Sequence, residues 1–196
     1  MWIFTVAANF FGIASEILGE LSWEEERKSI NVLFTETIRI FLESETLSLE
    51  KMTPKKKNQV ETLYGDLREP LTEIFLKHTE KVRKFERGLE FMFVPENKFF
   101  STLFFIMLRQ DIKEKCLEIF FSLLDEEYQK SQSFQKIEAV SMDAFSSITN
   151  EKGFNDLVSF FFSRLKEKFK NLKAPESEKN GKKKEFFLLF FFFELL

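Results

Sequence analysis

The sequence predicts an all-α fold, a slice of an armadillo- or HEAT-like solenoid built from stacked antiparallel helices, with a disordered C-terminal linker and an apolar tail. Three observations carry that expectation. Apolar residues recur at helical spacing along most of the chain, and helix start and stop signals punctuate them. One stretch, Gln110 to Phe145, opens with a helix that is apolar on two sides. At about 3.6 residues per turn, Ile112, Cys116, Ile119, Phe120 and Leu123 form one row, and Leu117, Phe121, Leu124 and Tyr128 form another. Together the rows exceed the ~100° stripe of an ordinary surface helix. Such a helix needs neighbours on both sides, as an inner helix of a stacked array has.

Composition narrows the function. A chain of 196 residues fits one domain with a real core, and its 28 Phe make aromatic packing dominate that core. Lys plus Arg number 29 against 32 Asp plus Glu, so there is no cationic surface to propose for nucleic acid. The runs Lys55 to Lys57 and Lys182 to Lys184 read as solvated faces, with an acidic-lipid or anionic contact as the alternative. Cys116 is the only cysteine and falls in an apolar row, which suits a structural thiol in a reducing compartment. His78, the only histidine, also falls in an apolar row and reads as a packed side chain. One Cys and one His without HxxxH, CxxC or a glycine-rich loop assign no metal, cofactor-binding or catalytic residue.

Taken in order, Met1 to Leu18 is apolar, has no charged start, and is interrupted by Asn9 and Glu16. It reads as a core-facing helix, with a membrane or signal segment and a sequence of doubtful coding origin as the alternatives. Ser22 and Glu25 have capping-box spacing for a second helix, with Ile30, Leu33, Phe34, Ile38, Phe41 and Leu42 on its packing face and an end near Ser44. Thr53 before Pro54 starts a third. Its row from Val60 through Leu63, Tyr64, Leu67, Leu71, Ile74, Phe75, His78 and Val82 to Phe85 predicts one long helix, kinked near Pro70. Glu86 to Phe105 has strand-like and helix-like runs, with a break at Pro95 before a short apolar helix ending near Arg109.

After the doubly apolar helix, Ser131 and Ser133 offer caps for another, with Phe134, Ile137, Ser141, Phe145 and Ile148 on one side. Asn150 to Gly153 is a turn, and Asn155 can cap a last helix whose Leu157, Val158, Phe161, Phe162, Leu165, Phe169 and Leu172 face inward. Lys173 to Glu185 has linker composition. Phe186 to Leu196, FFLLFFFFELL, is too short to cross a bilayer, which takes ~20 residues. It reads as read-through of a truncated gene, with a membrane-adsorbing or partner-docking tail as the alternative. The chain therefore divides into an apolar segment at 1–22, a helical region at 23–172, a linker at 173–185 and a tail at 186–196.

Three stretches share a family pattern: Ile40 to Met52, Tyr64 to Phe75 and Cys116 to Glu138. The most specific residues are Tyr64, Gly65, Asp66 and Arg68 together, and Ile119, Phe120 and Phe121 followed by Tyr128, Ser133, Phe134, Gln135 and Glu138. A glycine inside a helix costs about 1 kcal/mol, so amphipathic periodicity does not explain Gly65. The chain resembles the helical region of the DOCK (dedicator of cytokinesis) proteins, between their lipid-binding and C-terminal exchange domains. The residues before about Trp23, Glu80 to Phe105, and the residues beyond Leu172 depart from the pattern.

The resemblance implies a non-catalytic scaffold fragment of a guanine nucleotide exchange factor for Rac- or Cdc42-type GTPases, working in the cytoplasm. The expected partners are proteins: the remaining DOCK-like domains, adaptor or dimer contacts, and a Rho-family GTPase only through the exchange domain, which lies beyond this chain. No nucleic acid and no cofactor are expected, and membrane contact stays open. The alternatives are a free-standing helical adaptor and a peripheral membrane-associated helical protein. An isolated solenoid slice should aggregate or dimerise through the apolar faces it exposes. An enzyme acting by its own chemistry ranks last.

Overall fold

The computed structural model describes residues 2–20, 24–44, 49, 52–66, 68–84, 88–93 and 98–170. Among the described residues there are nine helices and no strand, so the all-α expectation holds. They are α1 (Trp2–Glu20), α2 (Glu24–Glu43), α3 (Pro54–Tyr64), α4 (Glu69–Arg83), α5 (Gly88–Met92), α6 (Phe99–Met107), α7 (Lys113–Ser131), α8 (Gln135–Ser147) and α9 (Phe154–Lys170). The chain divides into two units, Met1–Thr102 and Leu103–Leu196, with the division inside α6. Ser22, Leu67, Phe85, Pro95, Leu172, the linker and the tail lie outside the described residues.

In the first unit, α1 turns Phe11 inward, where its ring meets Phe34 and Phe41 edge-on at 5.7 Å each. One turn later Ser15 reaches His78 of α4, which in turn holds Asn31 of α2. As the residue number rises along α1, the level in α2 falls, so the two helices run antiparallel. The buried face of α2 is Asn31, Phe34, Thr35, Ile38 and Leu42. Ile30 and Leu33 were expected on that face and instead remain 38% and 66% exposed. Their spacing satisfies helix periodicity, but they flank the inward row, and among the described residues no element of this unit covers them.

The single long helix expected from Thr53 is two. Gly65 ends α3 with φ 67° and ψ −163°, a backbone region open essentially to glycine alone. Asp66 then accepts a 2.9 Å bond at Oδ1 from the Arg68 amide, and its carboxylate also meets the Arg68 guanidinium. Gly65 is thus a helix terminator, and the conformational reason for it is local. Pro70 sits in the first turn of α4, where its absent N–H has no helical acceptor to miss. It starts a helix and kinks none. The split also leaves α3 at the surface, with Leu63 66% exposed, whereas α4 buries Leu71, Phe75, Leu76 and Val82.

α5 docks against the end of α4 so tightly that a Cβ on Gly88 would stand 1.8 Å from the Val82 carbonyl oxygen. Any other residue there would push the two helices apart. The start of α6 closes this unit, with Phe99 stacked on Phe75 and Phe100 on Phe93, both at 5.4 Å.

The second unit is organised around Phe104, whose ring contacts Phe120, Phe145 and Phe161 at 5.6, 4.2 and 5.5 Å. Such aromatic pairs add about 0.5–1.5 kcal/mol each beyond the area they bury. α7 buries Cys116, Ile119, Phe120 and Leu123 from its first row and Leu117 and Leu124 from its second, so it is packed on two sides as its sequence requires. Phe134, the residue just before α8, pairs with Phe169 near the end of α9, and Phe145 of α8 pairs with Phe154 at its start. α8 and α9 are therefore antiparallel. α7 runs in the sense of α9, since Glu114 pairs with Arg164 and Asp125 with Lys168.

Neither serine expected as a cap occupies the N-cap of α8, which is Phe134 and makes no side-chain cap bond. Ser131 ends α7, and the two serines instead hold the turn, with the Gln135 amide donating to Ser133 Oγ and the Ser133 amide to Ser131 Oγ. α9 begins at Phe154, one residue before its expected cap. Gly153, at φ 91°, makes that turn, and Asn155 lies inside the first turn of the helix.

Candidate functional site

The polar group that periodicity alone did not assemble is Ser15, Asn31 and His78. His78 lies on the inward row of α4, Asn31 on that of α2 one turn before Phe34, and Ser15 one turn beyond Phe11 on α1. His78 Nε2 donates to Asn31 Oδ1 at 2.6 Å, which leaves Nδ1 to accept from the Ser15 hydroxyl at 3.3 Å. The imidazole also lies against Phe34, with ring centroids 4.3 Å apart. Burial pushes the His78 pKa down to about 4, and Lys81 adds to the effect. The ring is therefore neutral at physiological pH.

A serine hydroxyl on one ring nitrogen and a side-chain oxygen on the other is the arrangement by which hydrolases activate a nucleophile. Here it cannot meet a substrate. Ser15, Asn31 and His78 are all at most 5% exposed, and the adjoining cavity is about 10 Å³, room for about one water. The cluster instead ties three helices together through satisfied polar groups, and so fixes how α1 sits on α2 and α4. Its sequence signal was a polar residue on each of three apolar rows. Periodicity places His78 on its row but singles out neither Ser15 nor Asn31.

Cys116 is fully buried in α7, and burial pushes its thiol up to about 12, far from a reactive thiolate. Among the described residues no group of His, Cys, Asp and Glu could hold a metal ion, and no helix is long and apolar enough to cross a membrane. Lys55 and Lys56 are exposed at the start of α3. Lys57 pairs with Glu61 at 3.7 Å along the same helix.

Two surfaces remain. On the second unit, Lys113 stands 4.4 Å from the centre of the Phe160 ring, Lys168 stands 5.0 Å from that of Phe121, and Arg164 pairs with both Glu114 and Glu167. These charges are matched across α7 and α9, so the surface is a laced helix pair. On the first unit, α1 and α2 leave between them an apolar groove of about 370 Å³, bordered by Phe10, Ile13 and Ile17 on one side and Ile30 and Leu33 on the other. The groove can take apolar side chains and offers no chemistry beyond that.

The family model described as the Dedicator of cytokinesis (DOCK) TPR region matches residues 24–161, which runs from the start of α2 into α9 and covers more than half of the chain. No curated protein and no solved structure matches the chain.

Proposed function

The chain belongs to the DOCK family, within its TPR region, and on that premise we propose that it is a non-catalytic helical scaffold serving a guanine nucleotide exchange factor in Rac- or Cdc42-type GTPase signalling. The observation that carries this is the doubly buried α7, with Leu117 at 3% and Leu124 and Cys116 at 0% exposure. A helix enclosed on both sides spends its side chains on packing and presents a fixed surface through its neighbours. TPR-type regions are interaction and support modules. The fitting role here is to hold an exchange domain in place and to contact other proteins in the cytoplasm.

A replacement experiment tests this. In a DOCK-family exchange factor whose own TPR region has been deleted, insertion of residues 2–170 of this chain should restore cellular GTP loading of its GTPase. Folded, expressed protein with no restored loading would refute the scaffold role.

A further inference from the structure

We propose that the corner between α3 and α4 is a two-state joint: the same residues can run on as one helix from Pro54 to Arg83, and Gly65 and Pro70 hold the chain in its bent form. The sequence keeps an uninterrupted apolar stripe through the corner. Val60, Tyr64, Leu67, Leu71, Phe75, His78 and Val82 follow steps of four, three, four, four, three and four residues, which is the seam of a single helix. The backbone is helical up to both edges of the corner. The Gly65 amide donates to the Glu61 carbonyl at 3.0 Å and the Thr72 amide to the Arg68 carbonyl at 2.9 Å, both as a continuous helix would have them. Between them the Glu69 amide turns short, to the Asp66 carbonyl at 3.0 Å, and the Arg68 amide is taken by Asp66 Oδ1. Conversion is therefore local. It exchanges the Asp66–Arg68 pair, whose members two residues apart would not face each other on one helix, for i to i−4 backbone bonds across the corner.

Two residues set the bias. A glycine in a helix interior is disfavoured relative to alanine, and a proline there removes a bond and clashes with the carbonyl four residues back, which for Pro70 is that of Asp66. Together they disfavour the continuous form by a factor of about 1,000. In the bent form each is at home: Gly65 takes φ 67° and ψ −163°, and Pro70 stands in the first turn of α4. The helix that moves is the one free to do so. α3 exposes Lys55, Lys56 and Leu63, whereas Leu71, Phe75, Leu76 and Val82 anchor α4. The joint thus decides where α3 presents those charged and apolar side chains, and a partner that binds the continuous form must make up the same factor in affinity. None of this depends on the scaffold role.

Pulsed electron–electron resonance between nitroxides at Lys55→Cys and Glu80→Cys reads the joint in the full chain. Both positions are exposed, and Cys116 is buried and stays unlabelled in a short reaction. A continuous helix separates the two positions by about 38 Å, at about 1.5 Å per residue, and any bend shortens that. With Gly65 and Pro70 in place the chain should give the shorter distance alone. Gly65→Ala/Pro70→Ala should move most molecules to ~38 Å. Pro70→Ala by itself, at an exposed site, should add a ~38 Å component beside the shorter one. If the double variant fails to fold, Pro70→Ala is read by the same criterion. A shorter distance that persists unchanged in both variants overturns the proposal, and so does a broad distribution without a ~38 Å component, which would mean a corner that frays instead of joining. A chain with both residues in place that already shows ~38 Å overturns it as well.

Discussion

The buried imidazole makes the sharpest test of the packing of the first unit. His78 has a pKa of about 4 when folded, against an ordinary value of 6.5. Between those values the unfolded chain binds a proton that the folded chain does not, so stability rises with pH through this window and is lost as pH falls through it. The gap corresponds to about 3 kcal/mol, fully present above pH ~6.5 and gone near pH ~4. His78→Gln keeps an amide donor for Asn31 but removes the titration. The stability of wild type relative to His78→Gln, from urea unfolding at a series of pH values, should therefore fall by about 3 kcal/mol from pH ~7 to pH ~4. His78 is the only histidine, so in untagged protein its ring proton resonances need no assignment. They should titrate near 4. Parallel stability curves, or a ring titrating near 6.5, would mean that the imidazole is open to water and that α1 is not seated on α2 and α4.

Other outcomes follow from single residues. Leu117→Asp places an unpaired charge at a site 3% exposed and should unfold the second unit, at a cost of several kcal/mol. Phe121→Asp should be milder, because Phe121 is only half-buried and lies under Lys168; circular dichroism melts of the two variants give the order. Gly65→Ala should cost about 1–3 kcal/mol, and Gly65→Asn should not rescue it, because ψ −163° is outside the left-handed helical region that asparagine tolerates; equal stability of the glycine and asparagine proteins would refute the break between α3 and α4. Cys116 should react with a thiol reagent only as fast as the second unit opens, and labelling of the native protein at the rate of a free thiol would show α7 exposed.

Much of this arrangement can be read from periodicity where a helix has one inward face and firm ends. Phe134, Ile137, Ser141, Phe145 and Ile148 are all buried as their spacing requires. Of the two rows of α7 the first buries Cys116, Ile119, Phe120 and Leu123, whereas the second buries Leu117 and Leu124 and leaves Phe121 and Tyr128 half-buried. Periodicity misleads where a break preserves it. Gly65 to Arg68 is four residues, about one helical turn, so the apolar period runs on from α3 into α4 as though the chain had not turned. It is equally blind to whether an apolar row has a neighbour: Leu33 and Phe34 are adjacent members of one pattern, yet one is 66% exposed and the other 5%. The Ser15, Asn31 and His78 cluster brings together three helices from positions 63 and 47 residues apart, and no local pattern encodes such a meeting.

The most direct test of the scaffold function is nucleotide release by the chain itself. Fluorescent GDP is bound to a Rac-type or a Cdc42-type GTPase, and its release is followed with and without a molar excess of the purified 196-residue chain. A helical support carries no exchange chemistry, so the traces with and without the chain should overlay. Release accelerated in proportion to the added chain would contradict the assignment and place exchange activity within these residues.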